Sequence, residues 1–133
     1  MLSSALAVVN DPAFAEVFSP QALAEVPLAA TIGGIVVSGT VDRLLVDEAS
    51  VTVVDYKTTR RPPDKLEDIP VAALKQMAAY VAALETIYHD RVVRAALLYT
   101  HEPRLLEIPS EALTPHKQRL GKAQESYAPL DIE

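Results

Sequence analysis

The chain has 133 residues, half of them apolar and 23% charged, which suits one domain with its own hydrophobic core and excludes a disordered tail. It contains no cysteine, and this removes disulfides, thiolate zinc sites, cysteine nucleophiles and cysteine-held iron–sulfur clusters together. With 12 basic and 18 acidic residues the net charge is −6. That argues against the broad basic face of a dedicated nucleic-acid binder, although a bound metal brings its own positive charge and local clusters count for more than the sum.

The opening MLSSALAVVNDP lacks the basic flank of a signal peptide, and no apolar run reaches the roughly 18 residues of a membrane span. Residues 3–9 read as the end of a helix. Asp11-Pro12 then opens a short helix through Phe18, with proline in the first turn. Ser19-Pro20 ends it. Glu25 to Thr31 suits a strand, and Gly33-Gly34 a hairpin turn. Residues 35–46, IVVSGTVDRLLV, form a long strand with an expected bend at Gly39. Asp47 to Ser50 turns the chain back, and 51–57 return as a third strand, so the order is an antiparallel meander. A loop rich in proline and charge follows, with Asp68 as the expected cap of a helix from Val71 to Tyr88. Leu74, Met77, Val81, Leu84 and Tyr88 make an apolar stripe at helical spacing. Gln76 and Tyr80, four apart, share its flank. VVRAALLYT, 92–100, is apolar enough for an interior strand. A short strand at 104–108 pairs with it, and Ser110 and Thr114-Pro115 open terminal helical turns. The fold class is α/β: a mixed sheet, built from the meander, a helix and a further strand, and flanked by helices.

The third strand ends unusually, as VVDYKTTRRPP. Alternation places Val51, Val53, Asp55 and Lys57 on one face, so an acid and a lysine end what begins as a core face. Asp42 lies on the hairpin neighbour. Paired strands run about 4.8 Å apart, close enough for two carboxylates near the same ends to share a cation. Carboxylates, a carbonyl and waters suit Mg²⁺ or Mn²⁺. Each residue also has a plain reading. Asp42-Arg43 suits a strand-edge charge pair, Asp55 and Lys57 a solvated strand end, and Gln76 and Tyr80 the rim of a core. Arg60 and Arg61 suit a solvated loop.

Gly39-Thr-Val-Asp42, Asp55-Tyr-Lys57 and Gln76-Met-Ala-Ala-Tyr80, in that order on strand, strand and helix, resemble the PD-(D/E)XK nuclease superfamily. The likeness runs over roughly residues 20–110 and is strongest to the RecB-type branch, in particular the nuclease domain of AddA-type helicase–nucleases. It implies a restriction-endonuclease-like fold and metal-dependent hydrolysis of DNA phosphodiesters in double-strand-break repair and recombination. Asp42, Asp55 and the Tyr56 carbonyl would ligate Mg²⁺ or Mn²⁺, and Lys57 would be the catalytic lysine. Gln76, Tyr80, Arg60 and Arg61 would contact DNA or brace the site, and Glu25 matches an accessory acid of the first core strand. The implied partners are DNA, a helicase domain of the same parent chain and an AddB-like subunit, in the bacterial cytoplasm. Relatives that hold an iron–sulfur cluster do so with four cysteines, which this chain lacks. The family's upstream histidine has no counterpart here, since the first histidine is His89. Residues 1–133 are therefore expected to be one nuclease-like domain from the C-terminal part of a longer helicase–nuclease. The alternatives are a non-catalytic module that binds DNA or docks a partner, and an unrelated enzyme acting on a small phosphorylated substrate.

Overall fold

The computed structural model describes residues 22–58, 62–101, 104–122 and 130–131, with the side chains of 121–122 and 130–131 left aside. The helices expected before residue 19, and Arg60 and Arg61, lie outside the described residues. The elements run β1 (Ala22–Ile32), β2 (Ile35–Val46), β3 (Ser50–Lys57), α1 (Val71–Ile87), β4 (Val92–Tyr99), β5 (Arg104–Ile108), α2 (Ser110–Lys122) and β6 (Leu130–Asp131). Five strands lie in the order β1-β2-β3-β4-β5, and the short β6 pairs with β2. This is the mixed α/β architecture expected from the sequence. β1, β2 and β3 form the antiparallel meander, α1 crosses over to bring β4 parallel to β3, and β5 returns antiparallel to β4.

The turns have local causes. Gly33 and Gly34 carry φ of 56° and 83° between the paired Ile32 and Ile35, the two-residue hairpin that needs positive φ at both positions. In the next turn the Asp47 carboxylate accepts hydrogen bonds from the backbone N–H groups of Ala49 and Ser50 at 2.9 and 2.7 Å. These bonds hold the Asp47 carboxyl below its usual range. Two expectations change downstream. Asp68 does not cap α1: it ends a 3₁₀ turn at Leu66–Asp68, and Pro70 precedes the helix with no side-chain cap. Ser110 and Thr114-Pro115 do not open separate turns, because α2 is continuous with Pro115 inside it.

The core lies between α1 and one face of the sheet. Val37, Val41, Leu44, Val51, Val53, Ala95 and Leu97 meet Met77, Val81 and Leu84 there. The expected stripe on α1 is too narrow, since every residue from Met77 to Leu84 is buried. Sheet, β1 and α2 all pack on this helix, and a helix enclosed on several sides is apolar all round. Four alanines at 78, 79, 82 and 83 permit that approach. His116 is half-buried within α2, and its Nδ1 is buried without a hydrogen-bond partner among the described residues. Burial, Arg119 and Lys75 depress its pKa.

Candidate metal centre and active site

A split in the sheet makes the site. β2 and β3 pair from Val46↔Val51 to Arg43↔Val54, where the ladder stops. Beyond it β2 gives Val37 and Ser38 to β6 instead. Between these two pairings, the β3-facing side of Thr40–Asp42 has side chains for partners. The Tyr56 N–H donates to Asp42 Oδ2 at 2.7 Å, and the Tyr80 hydroxyl donates to the Thr40 carbonyl at 3.2 Å. In a strand the N–H and C=O of one residue point to the same edge. Because Lys57 C=O accepts from Thr100 N–H on the β4 side at 3.1 Å, the groups of Tyr56 belong to the opposite edge. The Tyr56 carbonyl therefore faces the split, beside Asp42.

Asp42 reaches the correct face through a break in alternation. Val37 and Val41 face α1 from odd positions, whereas Leu44 and Val46 do so from even ones. Arg43 faces the far side, where its Nε donates to the Tyr56 hydroxyl at 2.9 Å. The phase shifts by one residue at Val41–Asp42, three positions beyond the glycine expected to bend the strand. The neighbouring strand is irregular at the same level. In the β1–β2 ladder, Ala24↔Arg43 and Val26↔Val41 pair but Glu25 and Asp42 do not, and Glu25 has φ of 51°. The phase shift puts Asp42 on the face of Leu44, across from Asp55. Glu25 is exposed, and its backbone lies opposite Asp42 without pairing to it.

Asp55 is 7% exposed. Burial and a hydrogen bond to the Asp42 carboxyl push its pKa up to about 6, against the opposing pull of Lys57. Lys57 Nζ lies 2.8 Å from Asp55 Oδ2 and donates to Gln76 Oε1 at 3.2 Å. Tyr80 is 1% exposed, which leaves it no surface to offer a ligand and makes it a brace of the split. Gln76 touches the lysine directly. Asp42, Asp55, Tyr56, Lys57, Gln76 and Tyr80 are thus brought together, while Glu25 stands behind Asp42.

The donor set suits a hard divalent cation. Two carboxyls so close that one holds a proton toward neutral pH are where a cation would replace that proton. Among the described residues no third His, Cys, Asp or Glu joins them. Mg²⁺ commonly takes one or two carboxylates and fills its remaining positions with waters, so Asp42, Asp55 and the Tyr56 carbonyl fit it.

The family model of the PD-(D/E)XK nuclease superfamily matches residues 2–129. The chain belongs to that superfamily. Its fold is also similar to the crystal structure of a candidate exonuclease from Eubacterium rectale, with TM-score 0.65 and 14% identity over 94% of this chain and 50% of that one. At that identity the likeness shows the fold. A second solved structure, of SSO0001, matches at TM-score 0.42 with 18% identity, over 79% of this chain and 50% of that one, too distant to add to it. The chain spans about half the length of both. No curated protein matches it. Among the described residues no helix is long and apolar enough to cross a membrane.

Proposed function

We propose that this domain hydrolyses DNA phosphodiester bonds with Mg²⁺ or Mn²⁺, using Asp42, Asp55 and Lys57. The observation that carries the reading is their convergence at one mouth of the β2–β3 split, with Lys57 Nζ 2.8 Å from Asp55 and Asp42 hydrogen-bonded to it. Asp42, Asp55 and the Tyr56 carbonyl would hold the cation. When bound, it would lower the pKa of a water and offset charge gathering on the phosphate. Lys57 supplies a positive charge aimed at the same place, anchored by Asp55 and Gln76, where it stabilises a phosphate oxygen or orients the attacking water. The water oxygen bonds to phosphorus, the P–O bond to the leaving strand breaks, and the leaving oxygen takes a proton. Tyr80 keeps the split open at Thr40.

The likeness to AddA-type proteins supports a place in double-strand-break repair, with a helicase domain in the same parent chain and an AddB-like subunit beside it. Arg60 and Arg61, which follow Lys57 in sequence, would meet the DNA backbone. A second reading, a DNA-binding or docking module without its own activity, draws on the two-carboxylate centre. Cleavage of linear DNA in Mn²⁺, by this chain and by its full-length parent, separates them. The nuclease reading expects parent activity to fall by about 10³-fold or more in Lys57→Ala, the scale of losing a group that stabilises the transition state. Unchanged activity in that variant would reject it, and activity in the parent alone would assign this chain by itself the second role.

A further inference from the structure

Next to Lys57, on the side away from Asp42, lies a cavity that the hydrolytic step does not use. Its volume is about 560 Å³, within the range of pockets that enclose small ligands. Lys57 and Tyr99 form one wall, Pro62, Pro63 and Ala72 make apolar surface, and Asp64 and Asp68 add carboxylates. Tyr99 is the decisive residue. It pairs with Lys57 across the parallel β3–β4 ladder and is 2% exposed. Buried tyrosine hydroxyls usually find a partner. The hydroxyl of Tyr99 has no partner among the described residues and is not one of their fully buried unpaired atoms, so the ring is buried while the hydroxyl opens on the cavity that the residue lines. Burial raises its pKa, which keeps it a neutral donor. The proline wall is fastened from β5, where Arg104 Nη1 donates to the Pro63 carbonyl at 3.1 Å.

We propose that this cavity takes the base of the nucleotide adjoining the scissile phosphate, with the Tyr99 hydroxyl donating a hydrogen bond to it. The proposal rests on the nuclease reading, through Lys57, which belongs to both places. A phosphate is the wrong occupant, because Asp64 and Asp68 repel an anion. A nucleoside fits the walls: its flat apolar faces suit proline and alanine, its carbonyl or ring-nitrogen acceptors suit Tyr99, and its amino groups suit the aspartates. The cavity would thus hold the substrate beside the lysine while the acids on the other side hold the cation.

Two probes test this on the 133-residue chain in Ca²⁺, by NMR titration: deoxycytidine 5′-monophosphate and deoxyribose 5-phosphate. The nucleotide is expected to bind about fivefold or more tightly than the sugar phosphate, the scale of one hydrogen bond plus apolar contact, and to shift the resonances of Ala72 and Tyr99. Tyr99→Phe keeps the ring in the core and removes the hydroxyl. Ala72→Leu narrows the cavity from the exposed first turn of α1. Both variants should erase most of that preference and leave sugar-phosphate binding unchanged. Equal affinity for the two probes, or a preference that survives both variants, would overturn the proposal. Lys57→Ala separates its failure from that of the nuclease reading. If Lys57→Ala weakens both probes while the cavity variants change nothing, the cavity alone fails. If Lys57→Ala changes neither probe but the base preference persists, the cavity stands and the nuclease reading loses its support.

Discussion

The two halves of the β2–β3 hairpin obey different rules. From Arg43 to Val46 and Val51 to Val54 the strands share a regular ladder over apolar side chains, closed by the Asp47 turn. From Thr40 to Asp42 and Asp55 to Lys57 the partners are side chains: Asp42 for the Tyr56 N–H and Tyr80 for the Thr40 carbonyl. Backbone groups away from water need partners, so a sheet can open only where side chains replace the ladder. The open half gains a backbone carbonyl and two acids at one mouth. It also carries a left-handed Glu25 and a buried acid with a raised pKa. The closed half carries a regular apolar ladder and the open half carries the polar groups, and substitutions should separate them.

The largest effect on stability is expected at Glu25. A β-branched residue at φ of 51° is strongly disfavoured, so Glu25→Val should destabilise by about 2 kcal/mol, read by urea denaturation. Glu25→Gly, which accepts this conformation, should keep or raise stability and retain cation binding. Equal losses in both variants would mean that Glu25 acts through its carboxylate. Next comes Asp55→Asn, which removes a buried charge that Asp42 opposes. Without a divalent cation at pH 7.5 it should raise stability by about 1 kcal/mol while abolishing the stabilisation that Mn²⁺ gives. A destabilised variant would show that the carboxylate is favourable as it stands. Tyr80→Phe removes the partner of the Thr40 carbonyl and should cost about 1 kcal/mol, with weaker cation binding as the split relaxes. Loss of stability without change in cation binding would restrict Tyr80 to packing.

The pH dependence follows from the same acid. The folded-state pKa of Asp55 is raised from 3.8 to about 6, so the folded state holds its proton where the unfolded chain has released one. That contribution is complete below about pH 4 and is lost as pH rises through 6. In chelator, the melting temperature should therefore fall by a few degrees between pH 4.5 and 7 relative to Asp55→Asn. Mn²⁺ should bind more tightly at pH 7 than at pH 5, releasing a proton as it does. Parallel pH profiles for the two proteins would remove the shared-proton picture.

The sequence made the strand order and the central helix legible because alternation, glycine turns and the helical stripe are local signals. Asp55 and Lys57 were legible for the same reason, as charges on the face of Val51 and Val53. The placement of Asp42 was not, since its face depends on a phase shift that occurs opposite Glu25 on another strand, 17 residues away in sequence. Simple alternation from Val37 and Val41 would turn it away from Asp55. The Asp68 cap failed because α1 begins only at Val71, with Pro70 before it and no side-chain cap. The extent of burial on α1 was hidden too, since it depends on α2 and β1 packing from other parts of the chain. Tyr99 could not be singled out inside an apolar strand until its register with Lys57 was known.

The central claim is that Asp42 and Asp55, though 13 residues apart in sequence, share one cation at the open end of the hairpin. Titration of Mn²⁺ into the wild-type chain, followed by paramagnetic broadening of assigned amide resonances, tests it most directly. Broadening should centre on Asp42, Asp55 and Tyr56, and Asp42→Ala should weaken binding by at least about tenfold, the loss expected for one of two carboxylate ligands. Broadening centred elsewhere, or wild-type affinity in Asp42→Ala, would contradict the account.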